Sequence, residues 1–235
     1  MNLQGSLQIL DCTVTNQFGE SVNLIMLSPM IEIYESISKT FYQNEYLKIY
    51  SASDFNESRL DSFGPDLILF YGWSKIIPER IVSQYTCLML HPSPLPRYRG
   101  GSPIQNQIIR GEKDSAVTIF IMDEGIDTGD IVGQEKMSLS GEIDDIFKRM
   151  TEIGTTLTER FLEGNYSITK QNSQESTYFT RRKPAQSEIT IEELIESPGH
   201  YIFNKIRMLT GPYPPAFIKT SDGKKILLKK VELVD

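Results

Sequence analysis

Two apolar runs constrain the fold of this chain more than anything else in it. Leu67–Tyr71 (LILFY) and the TCLMLH stretch Thr86–His91 are continuous rather than alternating, the pattern of strands buried on both faces of a parallel sheet. Between them Pro78 opens a short helical stretch, PERIVSQY, so the order is strand, helix, strand. This unit predicts an α/β fold with a doubly wound, mostly parallel sheet. Further strands are expected near Leu7–Val14, Val22–Leu27, Tyr46–Tyr50, Ala116–Asp123 and Ile131–Leu139. One helix is expected from Pro29, with Ile31, Ile33, Ile37 and Phe41 near one face. A second runs from Ser102 as N-cap, with Pro103 at the first helical position, to Gly111. Ile143, Ile146, Phe147, Met150, Ile153, Leu157 and Phe161 recur at helical spacing and predict one long amphipathic helix to about Leu162. The polar stretch Asn165–Thr190 reads as a loop. A helix around Tyr201–Leu209 follows, then a hairpin turning at Asp222-Gly223. The expected division is a core of residues 1–165 and a small C-terminal extension, 166–235, of loop, helix and β-hairpin.

Charge bears on partners. The net charge is −7, which disfavours nonspecific binding to nucleic acid. The balance is uneven: Arg181–Asp235 holds ten Lys/Arg against seven Asp/Glu, a surplus of three, so the rest carries −10. A locally basic tail on an acidic body suits a small anionic ligand better than a long polyanion. No run approaches the ~18 apolar residues of a membrane span, and MNLQGSLQIL lacks the charged and apolar regions of a signal peptide. A cytoplasmic protein with no membrane partner is expected. Cys12 and Cys87 cannot form a disulfide scaffold, and Cys87, inside an apolar run, reads as a small buried hydrophobe. No CxxC or His/Cys cluster suggests a metal site.

Ligands of doubly wound sheets bind beyond the carboxyl ends of the strands, and His91 stands at such an end. A lone histidine there is more often structural than functional. Its surroundings favour function: Pro92, Pro94 and Pro96 stiffen the following loop, and Gly100 and Gly101 permit close backbone approach to a ligand. Downstream, MDEGIDTGD places Asp123, Asp127 and Asp130 within eight residues. Three readings stand open: a solvated acidic turn, a calcium loop without the EF-hand spacing and terminal Glu, or a carboxylate turned inward to fix the tautomer of His91.

HPSPLPRYRGGSPIQ (His91–Gln105) followed by VTIFIMDEGIDTGDI (Val117–Ile131) resembles the folate-dependent formyltransferase family, which includes glycinamide ribonucleotide, methionyl-tRNA and nucleotide-sugar N-formyltransferases. The family pattern is Asn-x-His, then Ser-x-Leu-Pro, then Asp-x-Gly with a further Asp on the next turn. The 36 residues from His91 to Asp127 match it. YGWSKIIP (Tyr71–Pro78) resembles the stretch that lines the family's pterin pocket, while RMLTGPYPPAF and GKKILL resemble the segment after the catalytic core. The resemblance implies a Rossmann-like formyltransferase fold and N10-formyltetrahydrofolate as formyl donor. His91 is then expected to polarise the oxygen of a tetrahedral intermediate. Asp127 is expected to orient His91 and help relay the amine's proton. Trp73, Ser74, Lys75, Ile76, Ile77, Met122, Asp123, Gly125 and Ile126 are expected on the folate side. Ser93, Arg99, Gly100, Gly101, Ser102, Gln105, Tyr178, Arg181, Arg182 and Lys183 are expected on the acceptor side, the basic loop facing phosphate.

One position departs from the pattern. Met89 stands where the family has Asn, and a thioether cannot donate a hydrogen bond. Asn106 is a conceivable substitute; the alternative is a catalytically silent folate or nucleotide-sugar binder. GGSPIQN looks most like sugar N-formyltransferases, so the expected acceptor is a nucleotide-linked 4-amino-4,6-dideoxy sugar of surface-glycan biosynthesis. Methionyl-tRNA is disfavoured because the chain stops about where an RNA-gripping barrel would begin. Glycinamide ribonucleotide is disfavoured because the loop after the Pro motif differs. The resemblance also implies a homodimer. Ile226, Leu228, Val231 and Leu233 would cover the monomer or meet a second copy.

Overall fold

The computed structural model describes residues 8–15, 21–28 and 47–49 as backbone, and residues 60–61, 65–73, 75–211 and 213–234 with side chains. The helix expected from Pro29 to Phe41, and Ser74, lie outside the described residues. Among the described residues the main sheet has seven strands: β1 (Gln8–Thr15), β2 (Ser21–Ser28), β3 (Leu47–Ile49), β4 (Leu67–Tyr71), β5 (Thr86–His91), β7 (Asp114–Ile121) and β8 (Ile131–Ser138); β6 is the short pair Arg99–Gly100, outside it. Their order is β3-β1-β2-β4-β5-β7-β8. The β2–β4 and β4–β5 pairs are parallel and the other four antiparallel. Following those senses across the sheet, β2, β3, β4, β5 and β8 run one way and β1 and β7 the other. The expected α/β fold with strands mostly in one direction is therefore present, around a parallel centre with antiparallel flanks.

Helices flank the sheet: α1 (Glu79–Gln84), α2 (Pro103–Ile108) and α3 (Ile143–Leu162), followed by α4 (Ile191–Glu196) and α5 (Gly199–Arg207). Strand alternation divides the core. Leu67, Leu69 and Tyr71 of β4, Leu88 and Leu90 of β5, and Val117 and Ile119 of β7 pack with Ile143, Ile146, Met150 and Leu157 of α3. Ile68, Phe70 and Cys87 face the other way, with Ile77 and Ile81. Each such aliphatic side chain contributes about 1.5–3 kcal/mol on burial. Gly154 lets α3 lie close to β5, since a Cβ there would stand 2.4 Å from Leu90 Cδ1. Thr158 Oγ1 donates to the Gly154 carbonyl at 2.7 Å and accepts from the Tyr71 hydroxyl at 2.5 Å. Burial raises the Tyr71 phenol well above its usual range. Cys87 is 1% exposed, and burial pushes its thiol up to about 12, as its place in an apolar run suggested.

After α3 the chain is less of a loop than its polarity suggested. β9 (Tyr178–Phe179) pairs in parallel with β6, and α4 precedes α5. The expected hairpin is β10 (Ala216–Lys219) with β11 (Lys225–Leu228). Ile189, Ile206, Met208, Leu209 and Ala216 belong to the same core cluster as β4, β5 and α3. In the hairpin Ile226 is exposed while Leu228 and Val231 pack against that cluster. No helix among the described residues is long and apolar enough to cross a membrane.

Candidate active site

β5 ends at His91, and the loop beyond it is fixed by more than its prolines. Gln107 Nε2 donates to the Pro92 carbonyl (2.9 Å), Thr118 Oγ1 to that of Ser93 (2.6 Å) and Gln134 Nε2 to that of Leu95 (3.1 Å). Helix α2 and strands β7 and β8 thus each hold one loop carbonyl. At the far side of the loop, Tyr98 takes a left-handed φ of 61°. Its N–H donates to Thr177 Oγ1, its hydroxyl donates to Glu112, and its ring stacks on Phe179 at 5.0 Å. Burial, then the Glu112 carboxylate, raise the Tyr98 phenol.

This frame sets the state of His91. The ring is 6% exposed, and Nε2 lies 2.8 Å from the Tyr98 carbonyl. A carbonyl only accepts, so Nε2 carries the hydrogen and Nδ1 of the neutral ring holds the lone pair. Nδ1 is 3.5 Å from Asp127 Oδ2, which also accepts the Gly100 N–H at 2.7 Å. Of the three aspartates, Asp127 is the one that turns to the histidine, at a left-handed φ of 54°. Asp123 instead shapes its own loop, accepting from Gly125 N–H at 3.0 Å. When the ring takes a proton at Nδ1, Asp127 stabilises it as an ion pair.

Met89, two residues back on the same face of β5, is half-buried and, like Met122 and Trp73, packs against the cluster that holds Ile68 and Phe70. It supplies no donor. Asn106 does not replace one: it is 5% exposed, and its Nδ2 donates to the carbonyls of Gly101 (2.8 Å) and Thr180 (3.5 Å).

Beside α1 a concavity of about 400 Å³ is lined by Val82, Ser83, Met122, Asp123, Glu124 and Gly125, within the usual range of small-molecule sites, roughly 300–1,000 Å³. It gathers Met122, Asp123 and Gly125 of the expected folate-side residues. Trp73 is half-buried, edge-on to Phe70 at 5.7 Å. Ile77 lies in the core, while Lys75, Ile76 and Ile126 are exposed. Val82 and Ser83, on the face of α1, carry no sequence signal of a site.

On the acceptor side the 178–183 segment lies against the catalytic loop. Gly101 N–H donates to the Phe179 carbonyl at 2.8 Å, and a Cβ on Gly101 would meet Arg181 Cα at 2.5 Å. Ser102 holds the N-cap position of α2 as expected, but its side chain does not cap the helix; at φ 52° its hydroxyl accepts the Arg182 N–H at 3.1 Å. Arg182 is half-buried, and burial lowers its guanidinium from the usual range. Tyr178, Arg181 and Lys183 are exposed. Two expected acceptor residues are not open to a ligand. Ser93 is fully buried, its hydroxyl donating to the Arg97 carbonyl, and Gln105 is 2% exposed on the inner face of α2. The Arg99 guanidinium pairs with Gln171, a residue whose polar surroundings in the sequence gave no signal.

The likeness to known proteins agrees with this geometry. Residues 32–162 match the formyl transferase family model. A methionyl-tRNA formyltransferase of Carboxydothermus hydrogenoformans is 34% identical over 213 residues, which cover 86% of this chain and 67% of that protein. The solved structure of a methionyl-tRNA formyltransferase from Clostridium thermocellum superposes with a TM-score of 0.73 at 34% identity, over 87% of this chain and 94% of that one. A 4-N formyltransferase from Francisella tularensis shares the fold at 24% identity, with a TM-score of 0.64 over 79% and 78% of the two chains. With the family model spanning more than half its length and a relative this similar across most of it, the chain belongs to the formyl transferase family.

Proposed function

We propose that the chain moves the formyl group of N10-formyltetrahydrofolate to the primary amine of a nucleotide-linked amino sugar, of the 4-amino-4,6-dideoxy type. The observation that supports transfer most is the approach of His91 Nδ1 to Asp127 Oδ2 at 3.5 Å beyond the carboxyl end of β5. Met122, Asp123 and Gly125, with Val82, Ser83 and Glu124, would hold the folate in their concavity. The folate, when bound, supplies a formyl carbon ready for attack by an amine. The chain supplies the proton chemistry. Nδ1 of His91 is the atom that takes up or gives a proton, because Nε2 is engaged by Tyr98. With a hydrogen on Nδ1 the ring is a donor for an oxygen that becomes negative, and the Asp127 carboxylate stands 3.5 Å from that nitrogen. One such donor is worth about 10²–10³ in rate.

The acceptor assignment rests on the resemblance of GGSPIQN to sugar N-formyltransferases, with charge in support. Arg181 stands beside Gly101 and Arg182 beside Ser102, with Lys183 next in the chain, and the chain as a whole carries −7. A compact diphosphate suits this short basic loop. A second acceptor, methionyl-tRNA, is favoured by the name and 34% identity of the relatives above. Both carry an amine on a phosphate-bearing carrier.

The deciding experiment offers N10-formyltetrahydrofolate and follows formyl transfer to a panel of nucleotide-linked amino sugars, methionyl-tRNA and glycinamide ribonucleotide. Product from a sugar alone supports the proposal. Product from methionyl-tRNA alone replaces the acceptor. Folate binding with no product on any amine makes the chain a silent binder.

A further inference from the structure

Gln171 lies in neither loop that carries the reacting side chains, yet it touches both. Its Nε2 donates to the carbonyls of Asp127 (3.0 Å) and Gly129 (2.7 Å). Its Oε1 accepts from two nitrogens of Arg99, Nε at 3.1 Å and a terminal nitrogen at 2.7 Å. Arg99 precedes Gly100, the residue whose N–H donates to Asp127 Oδ2. The carboxamide therefore uses both its N–H groups and both its lone pairs. It closes a circuit from the Asp127 carboxylate through Gly100 and Arg99 back to the Asp127 carbonyl.

Backbone pairing fixes where this glutamine stands. Thr169 exchanges hydrogen bonds with Ile131 at 2.8 and 2.9 Å, at the start of β8. Downstream, the carbonyls of Thr177 and Phe179 accept from the N–H groups of Arg99 and Gly101. Residues 169–179 thus form a strap anchored beside both active loops. Asp127 has need of it. Its backbone sits in the left-handed region, which non-glycine residues adopt only when their surroundings hold them there. The preceding residues Asp123–Ile126 are exposed, and a carboxylate 3.5 Å from its imidazole has little distance to lose.

We infer that Gln171 is a positioning residue for Asp127, holding its carboxylate in register with His91 Nδ1. The kinetic side of this inference rests on the formyl-transfer reading; the geometric side does not. Two variants of the full chain test it. Gln171→Met removes the amide at similar length. Gln171→Glu keeps an oxygen for Arg99 but has no N–H for the two carbonyls. In both, the Gly100 amide-proton resonance should move upfield toward its position in Asp127→Asn, because the Gly100–Asp127 bond has loosened. The kcat for formyl transfer should fall by about 10²-fold, the cost of a small misplacement, with KM for the formyl donor unchanged. In an Asp127→Asn background Gln171→Met should cost nothing further, since residues acting through one another are not additive. An unmoved Gly100 resonance overturns the inference. So does an equal kinetic cost with and without Asp127. Where Gln171→Met fails to fold, Gln171→Glu decides. Where the wild-type chain formylates no amine, the function reading falls, and the Gly100 resonance alone decides the positioning.

Discussion

The Tyr98 carbonyl decides which nitrogen of His91 can work. With Nε2 committed to it at 2.8 Å, proton transfer has to pass through Nδ1, the nitrogen beside Asp127. His91→Ala removes the group outright and should lower kcat by about 10²–10⁴-fold. Asp127→Asn leaves the ring in place but removes the charge that stabilises its protonated form, and should cost about 10²-fold or more. Steady-state formyl transfer on the acceptor found in the panel measures both, and a loss under tenfold in either removes that residue from the chemistry. Met89→Asn works in the other direction. It adds an amide donor two residues before His91 on the same face of β5, so turnover should rise. It also sets a polar group into a half-buried position against the Ile68/Phe70 cluster, at about 1–3 kcal/mol of stability. Unchanged turnover in this variant means that a donor already comes from elsewhere. The pairing of His91 with Asp127 was legible in the sequence because their spacing matches a family pattern and a proline-stiffened loop follows the histidine. Tyr98 was not, because its contribution is a backbone oxygen, which side-chain identity does not encode. Gln171 was not, because an amide in a polar stretch looks like any other.

At the scale of elements, the strands nearest the site were readable and their directions were not. TCLMLH is β5 from end to end, and the spacing of apolar residues after Ile143 is α3. Continuous apolar runs report burial on two faces, but a run reads the same whether its neighbour is parallel or antiparallel, so the reversal at β7 left no mark. β9 is two residues long, too short for any period. The turn between β7 and β8 shows how closely these elements constrain one another. Gly129 is buried there, and a Cβ on it would lie 1.7 Å from the Ile121 carbonyl, which is backbone and cannot give way. Gly129→Ala should therefore shift the loop that carries Asp127 and break the Gln171 contact at the Gly129 carbonyl. The expected result is a stability loss of about 1–3 kcal/mol from overpacking together with a fall in kcat. Urea unfolding and steady-state transfer measure the two effects, and full activity at lowered stability would separate the turn from the site.

At the scale of the whole molecule, the C-terminal segment shares a core cluster with the central strands, and this sets how the chain should unfold. Ile206 of α5 and Ala216 of β10 share a buried cluster with Leu67, Leu88 and Ile146, so the C-terminal segment covers the sheet face on which α3 packs. The opposite face carries a separate cluster of Ile68, Phe70, Ile81 and Cys87, with Trp73 against it. Trp73 is the one tryptophan of the chain, so its fluorescence reports the face opposite the one on which Ile206 and Ala216 pack. β4 links the faces, because Leu67, Leu69 and Tyr71 point into one cluster and Ile68 and Phe70 into the other. A chain with two independent halves would let the far face melt while Trp73 stayed put. A chain coupled through β4 loses both together, as cooperative single domains do. Ile206→Ala tests this. It opens a cavity at a side chain that is 4% exposed, which typically costs about 2–5 kcal/mol. The midpoint of urea unfolding followed by Trp73 fluorescence should fall as far as the midpoint followed by circular dichroism. A fluorescence midpoint that stays at its wild-type value while the dichroism midpoint drops would mean that residues 166–235 unfold on their own, as a unit apart from the sheet.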